Sequence, residues 1–242
     1  MPQPTSLNAN LYRAMRRGTI LKTLLGREPF HWVAHDRHIV EHGSRYGRWA
    51  ASSARLNSAT RMVCFGLGQD ITFEQALIRH FGCSVVGFDP TPASVAYLKA
   101  LGPIGGLSHH ALALATHDGT LEFLLPPEAA ADQVSASASA AYAGSSSVTV
   151  PCLTLQSALL LCDCPRADIV KMDIEGAEYA VLNQALDEGA LDAVSQLMVE
   201  FHHFLPGLDV SQTRQVIGRL QQTGFRISWV GRTNHEYLFL RR

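Results

Sequence analysis

A chain of 242 residues, 47% hydrophobic and 17% charged, carries enough apolar material for a sizeable core and suits one large domain with a modest extension. Twenty basic residues against 21 acidic ones leave a net charge of −1, which makes no electrostatic case for nucleic acid as the main partner. No apolar run approaches the roughly 20 residues that cross a bilayer, and the first residues lack the apolar centre of a secretory signal, so a cytoplasmic protein without a transmembrane segment is expected.

Residues 1–60 read as a mainly helical N-terminal extension to a domain covering 61–242. Within it, "LYRAMRRGTILKTLLG" suits an amphipathic surface helix, and His31, His35 and His38 an exposed polar face. Strand–helix alternation then begins. "RMVCFGLG" is a strand ending in a glycine turn. In "TFEQALIRHFG", Phe73, Leu77 and Phe81 keep helical spacing and Gly82 stops the helix. "CSVVGFDP" is a second strand, stopped by Pro90, and "TPASVAYLKALG" a second helix. "SHHALALA" reads as a third strand, with "HDG" turning the chain so that "TLEFLLP" pairs back on it as a hairpin arm. Residues 126–147 are a low-complexity Ala/Ser stretch, read as a mobile surface excursion.

"VTVPCLTLQSALL" restores the strand–helix pattern. "ADIVKMD" and "SQLMVEFH" are buried strands separated by a helix that starts in "IEGAEYAVL". "DVSQTRQVIGRLQQTG" is a helix with an acid or serine at its start and Gly224 at its end, and "FRISWVG" with "HEYLFLRR" closes the chain as a hairpin. The pattern predicts an α/β fold: a mainly parallel sheet with helices on both faces and one antiparallel strand at an edge. The five cysteines (Cys64, Cys83, Cys152, Cys162 and Cys164) suggest neither a disulfide framework nor a zinc site.

Ligands of such sheets bind beyond the carboxyl ends of the strands, near the switch in strand order. Gly66 and Gly68 end the first strand and allow backbone to approach a ligand; Asp89 ends the second, where an acid takes ribose hydroxyls. A dinucleotide loop wants a third glycine, but Ile71 stands there and Asp70 stands where phosphates would sit. A carboxylate there repels pyrophosphate and suits the sulfonium of S-adenosylmethionine, although Asp70 reads equally well as a helix N-cap. Asp173 and Glu200 end two successive strands, and strand alternation puts His202 on the same side as Glu200. Glu175 and Glu178 fall in a first helical turn, where acids are stabilised by the dipole anyway, so Glu178 is read as a helix-start acid.

In order along the chain, "HGSRYGRWA", "CFGLGQDITFEQALI", "VVGFDPTPASV", "VKMDIEGAEYAVL" and "VEFHHF" resemble the FkbM-like S-adenosylmethionine-dependent methyltransferases over about residues 42–204. The resemblance implies a Rossmann-like methyltransferase fold and O-methylation. It implies that Gly66 and Gly68 line the cofactor, that Asp89 holds its ribose, and that Asp173 and Glu175 belong to a catalytic edge; Asp70, Pro90, His110 and Ala111 complete the expected cofactor set. Two segments depart from the family's commoner pattern: "CFGLGQD" stands where Asp-Val-Gly-Ala-Asn-x-Gly is usual, and Gln156 where an acid is usual.

The expectation is a methyltransferase acting on a hydroxyl of a small molecule or glycan, with Asp173, Glu200 and His202 as catalytic residues. Those three either hold a divalent cation or supply a base directly without a metal. The rivals are an NAD-dependent oxidoreductase and a module that binds the cofactor without turnover. Nothing in the residues specifies the acceptor or an oligomeric state.

Overall fold

The computed structural model describes residues 22–125, 146–164 and 166–241. The expected amphipathic helix at 11–26 and the Ala/Ser excursion at 126–147 lie mostly outside them.

Seven strands form the central sheet in the order β11-β12-β10-β9-β3-β4-β5. β3 (Arg61–Phe65), β4 (Ser84–Phe88) and β5 (Leu107–His110) run parallel in one direction across the sheet, and β9 (Ile169–Met172) and β10 (Gln196–Glu200) continue it in the other. The order therefore reverses between β3 and β9, and the carboxyl ends of those two strands form the switch point. β12 (Glu236–Arg241) lies antiparallel between β10 and β11 (Phe225–Val230). The closing hairpin lies at one edge, as expected, with its antiparallel strand β12 paired on both sides and β11 as the rim.

Period-two burial builds a core on each face. From β3, Val63 and Phe65 point to one side, with Val170 and Met172 of β9, and meet α3 (Leu155–Leu161), α4 (Glu178–Asp187) and α5 (Val210–Gln222). Met62, Cys64, Ile169 and Met198 point to the other, where Phe73 and Leu77 of α1 (Thr72–Phe81) pack, with Tyr97 and Leu98 of α2 (Pro92–Leu101) at the margin. The helix ends follow the chemistry of their terminal residues. Gly82 takes the left-handed conformation at the end of α1 (φ 72°), and Asp209 with Gln212 forms a reciprocal capping box on α5.

Two expectations are corrected. Over its described part, 22–60, the supposed helical extension carries only a helical turn at 22–24 and a three-residue 3-10 helix at Ser53–Arg55, with a β-hairpin between them, β1 (Ile39–His42) with β2 (Trp49–Ser52). Trp49, Ala50 and Ala51 of β2 are buried in the second core, so the hairpin is sheet-face packing rather than a helical cap. Four-residue strands with no long apolar alternation leave little periodic signal. "TLEFLLP" also does not pair with the third strand. It forms β7 (Gly119–Leu125), antiparallel to β8 (Ser146–Leu153), in a separate three-stranded sheet completed by the short β6 (Ala113–Leu114). "SHHALALA" breaks after His110 to supply strands to both sheets.

Candidate active site

A cavity of about 790 Å³ opens at the switch point, lined by the loop after β3 (66–70), Asp89–Thr91, residues 112–114, the turn after β9 and the β1–β2 loop. Each part is held by the chemistry of its own residues.

Gly66 has φ +81°, and a Cβ there would stand 1.8 Å from the carbonyl oxygen of Asp173. Only glycine lets the two strand ends approach this closely. Gly68 is also left-handed (φ +57°) but faces open space. Asp89 is 5% exposed and holds the loop from behind: Oδ2 accepts from the N–H groups of Leu67 (3.0 Å) and Gly68 (2.8 Å), and Oδ1 from the N–H and hydroxyl of Thr91 (2.9 and 2.6 Å). Four acceptances match the roughly four lone-pair sites of a carboxylate. The expected ribose acid lines the cavity and also organises the glycine loop. Pro90 follows it into the cavity wall. His110 and Ala111 are not among the lining residues: β5 ends at His110, whose ring stacks on Phe88, and the wall is built by Leu112, Ala113 and Leu114.

Asp70 lines the cavity and caps α1. It accepts from the N–H and hydroxyl of Thr72 (2.9 and 2.6 Å), from the Ser44 hydroxyl and from the N–H of Gly47 (3.2 Å). Burial alone would push its carboxyl up, but the Ser44, Thr72 and Gly47 hydrogen bonds outweigh that and hold it below the usual range. Those bonds tie the β1–β2 loop to the glycine loop. Gly47 is required, since a Cβ there would meet Asp70 Cγ at 2.8 Å. The loop leaves Tyr46, 93% exposed, at the cavity mouth. Ser44, Tyr46 and Gly47 were not singled out from the sequence, although they lie in "HGSRYGRWA", one of the segments that carry the family resemblance.

The acids converge as strand topology predicts. β9 and β10 are parallel neighbours, which brings Asp173 and Glu200 to one edge. Around them the structure adds Glu175, which the resemblance places at this edge, and Glu178, which the sequence alone leaves as a helix-start acid. Glu175 sits at φ +53°, a strained conformation for a non-glycine residue. That backbone places its Oε2 3.5 Å from His202 Nε2, which is 3.6 Å from Asp173 Oδ1 and 4.0 Å from Glu200 Oε1. Glu178 is fully buried. Its Oε1 accepts from the His202 backbone N–H (2.8 Å) and lies 3.2 Å from Nδ1, while Oε2 accepts from the N–H of Gly176 (2.8 Å). Glu178 does open α4 as read from the sequence, and its side chain also bonds the His202 backbone and imidazole and the Asp-x-Glu-Gly turn. No periodicity signals this, because the partner lies 24 residues away.

His202 is 2% exposed and is not among the lining residues; Asp173, Glu175 and Glu200 are. Burial alone would push the imidazole down, but Glu178, Asp173 and Glu175 outweigh it and push it up to about 10. Glu200 is driven well above the usual carboxylate range by burial and by the negative charge of Asp173. Of the three expected catalytic residues, then, Asp173 and Glu200 face the cavity and His202 stands behind them. Lys171, buried within β9, pairs with Glu74 of α1 at 3.1 Å and lies 3.4 Å from the carbonyl oxygen of Gly66, in a supporting position. His31, expected on an exposed face, is bonded instead to the hydroxyl of Tyr237 at 2.7 Å.

Among the described residues, no helix is long and apolar enough to cross a membrane. The model of the "Methyltransferase FkbM domain" matches residues 62–227. "Probable methyltransferase-like protein 24" of Rattus norvegicus is 29% identical over 159 residues, 66% of this chain and 37% of that protein. The Homo sapiens protein of the same name is 28% identical over 179 residues, 71% of this chain and 42% of its own length. The chain therefore spans less than half of the curated relatives it matches. A solved structure of M. jannaschii TYW2 in complex with AdoMet aligns at a TM-score of 0.36 and 11% identity, over 87% of this chain and 90% of that one. The family match covers the glycine loop, the Asp89 segment and the whole carboxylate edge, and the chain belongs to the FkbM methyltransferase family.

Proposed function

We propose that this protein transfers the methyl group of S-adenosylmethionine to a hydroxyl of a small molecule or glycan. The observation that carries the reading is the carboxylate edge of Asp173, Glu175 and Glu200, facing a cavity that begins at the closely apposed Gly66 and Asp173. Acids outnumber bases in the lining, which suits a sulfonium cofactor and disfavours the pyrophosphate of a dinucleotide. The aromatic faces of Tyr46 and Trp229 at the same cavity suit a ring-bearing acceptor.

Methyl transfer is an in-line displacement: the acceptor oxygen forms its bond to the methyl carbon as the carbon–sulfur bond breaks. The electron pair leaves on sulfur, giving neutral S-adenosylhomocysteine, and the hydroxyl proton goes to a base. Of the carboxylates that line the cavity, Asp173 and Glu200 are the bases of this reading. His202, enclosed by them, is a positioning residue that holds the carboxylates in place. A cation-dependent version has one observation in its favour: ligand atoms of Asp173, Glu175 and His202 lie within 4.8 Å of one another, with the other imidazole nitrogen held by Glu178. A divalent ion there would lower the acceptor's pKa.

Calorimetric titration with S-adenosylmethionine, S-adenosylhomocysteine and NAD, each with and without magnesium, tests the reading. Saturable binding of the first two alone is expected; binding of NAD alone would overturn it, and a magnesium effect would favour the cation version. Asp173→Asn should leave cofactor affinity within about twofold and lower turnover by about 10²–10⁴, the usual contribution of a general base. Undiminished turnover would remove Asp173 from the chemistry.

A further inference from the structure

On the far side of the "EFHHF" segment lies a second cluster that the methyl-transfer reading does not use. Glu28, His203 and His235 bring one ligand atom each to within 4.8 Å of one another. They come from three distant parts of the chain: the segment before β1, the loop after β10 and the turn between β11 and β12. Glu28 is 4% and His203 7% exposed. His203 Nε2 is 3.3 Å from Glu28 Oε2, yet no aligned hydrogen bond forms and this buried nitrogen has no hydrogen-bond partner. His235 Nε2 is 3.8 Å from Glu28 Oε1. Buried polar atoms are normally satisfied, and one aimed at a carboxylate and a second imidazole is an unusual thing to leave open.

We propose that Glu28, His203 and His235 bind a zinc-type divalent ion, which staples the segment around residue 28 to the strand ends that carry the candidate active site. Two imidazoles and a carboxylate are a favoured donor set for zinc, and its bonds of about 2.0–2.1 Å place tetrahedral ligands roughly 3.3 Å apart, close to the spacing found. The supporting contacts are those of a metal site. His203 Nδ1 lies 3.2 Å from the hydroxyl of Thr213 on α5, which orients the ring with Nε2 inward. Asn234 Nδ2 donates to Glu28 Oε2 at 2.9 Å, and Phe204 stacks on the His235 ring at 4.5 Å. Among the described residues, Lys22 and Arg214 are the cations that face the cluster. Lys22 Nζ lies 3.7 Å from Glu28 Oε1 on a largely exposed stem that is free to swing away, and Arg214 is committed to the carbonyl oxygens of Gly26 and Glu28. His203 adjoins His202, and the N–H of Phe201 donates to the His235 carbonyl at 2.9 Å, so an ion here braces the backbone that presents His202.

The test uses the full chain stripped with a chelator and titrated with zinc(II), then with cobalt(II) for its visible spectrum. Wild type should bind an ion with the absorption of a four-coordinate, nitrogen-ligated cobalt and gain thermal stability with zinc. His235→Ala, at a turn whose loss the fold should survive, should weaken binding by more than the roughly 10–100-fold that loss of a supporting partner costs. His203→Ala should do the same, while Asp173→Asn should retain the spectrum. Three outcomes would overturn the proposal: no binding by the stripped wild type, affinity unchanged in both histidine variants, or a spectrum lost only in Asp173→Asn. The proposal does not depend on the methyltransferase reading, since none of these readouts involves the cofactor.

Discussion

Asp70 shows how one side chain serves both a turn and a site. Its hydrogen bonds join the β1–β2 loop, the glycine loop and the start of α1, and they hold its carboxyl below the usual range. A carboxyl whose folded value is depressed contributes stability that is complete above its unfolded value, near 3.9, and is lost as pH falls through the folded one. Asp70→Asn should therefore flatten the acid limb of the stability profile between about pH 4 and pH 2, leaving its neutral plateau lower. Chemical denaturation across that range would show it, and an unaltered acid limb would contradict the assignment. Glu178 makes the complementary case. Glu178→Gln keeps the shape but removes the charge beneath His202, so the fold should survive while turnover falls by about 10–100-fold, the usual cost of losing a supporting partner. Steady-state assay with circular dichroism separates this from unfolding. Asp70 and Asp173 were legible in the sequence because strand ends and glycine turns are local signals; the role of Glu178 was not, because an acid in a first helical turn has a sufficient local explanation.

Between elements, the Lys171–Glu74 pair joins the centre of the sheet to α1. Strand alternation turns Lys171 to the α1 face, and both side chains are almost wholly buried. Breaking such a pair by removing one partner usually costs about 3–5 kcal/mol, whereas replacing both by apolar groups is often neutral. Lys171→Met alone should lose that amount in urea unfolding, and Lys171→Met with Glu74→Leu should recover most of it; an additive loss would show that the pair is not coupled. The register of β3 against β9, with Phe65 opposite Met172, places Gly66 beside Asp173. This contact explains why a glycine loop and an acidic turn more than 100 residues apart form one edge. The hairpin of β1 and β2 was the element least visible beforehand, since its evidence is the burial of Trp49, Ala50 and Ala51 against residues far along the chain.

At the scale of the whole molecule, the reversal of strand order between β3 and β9 opens the cavity, whose lining comes from both halves of the sheet. A ligand that binds only the folded state at 100 times its dissociation constant adds about 2.7 kcal/mol. For a chain of this size that corresponds to roughly 5–10 °C in Tm. S-adenosylhomocysteine should produce such a shift in a thermal melt and NAD none; equal shifts from both would argue against a phosphate-free cofactor site. By itself the sequence determined the strand–helix alternation, the glycine loop, the acids at the strand ends and the family, because each is written in residues adjacent or periodically spaced along the chain. Only the tertiary structure decided that Asp89 spends its carboxylate on the glycine loop and that His202 stands behind its carboxylates. It alone also brought Glu28 to His203 and His235. Burial and orientation depend on which distant surface covers a side chain, and that choice is made by the packing of the whole sheet.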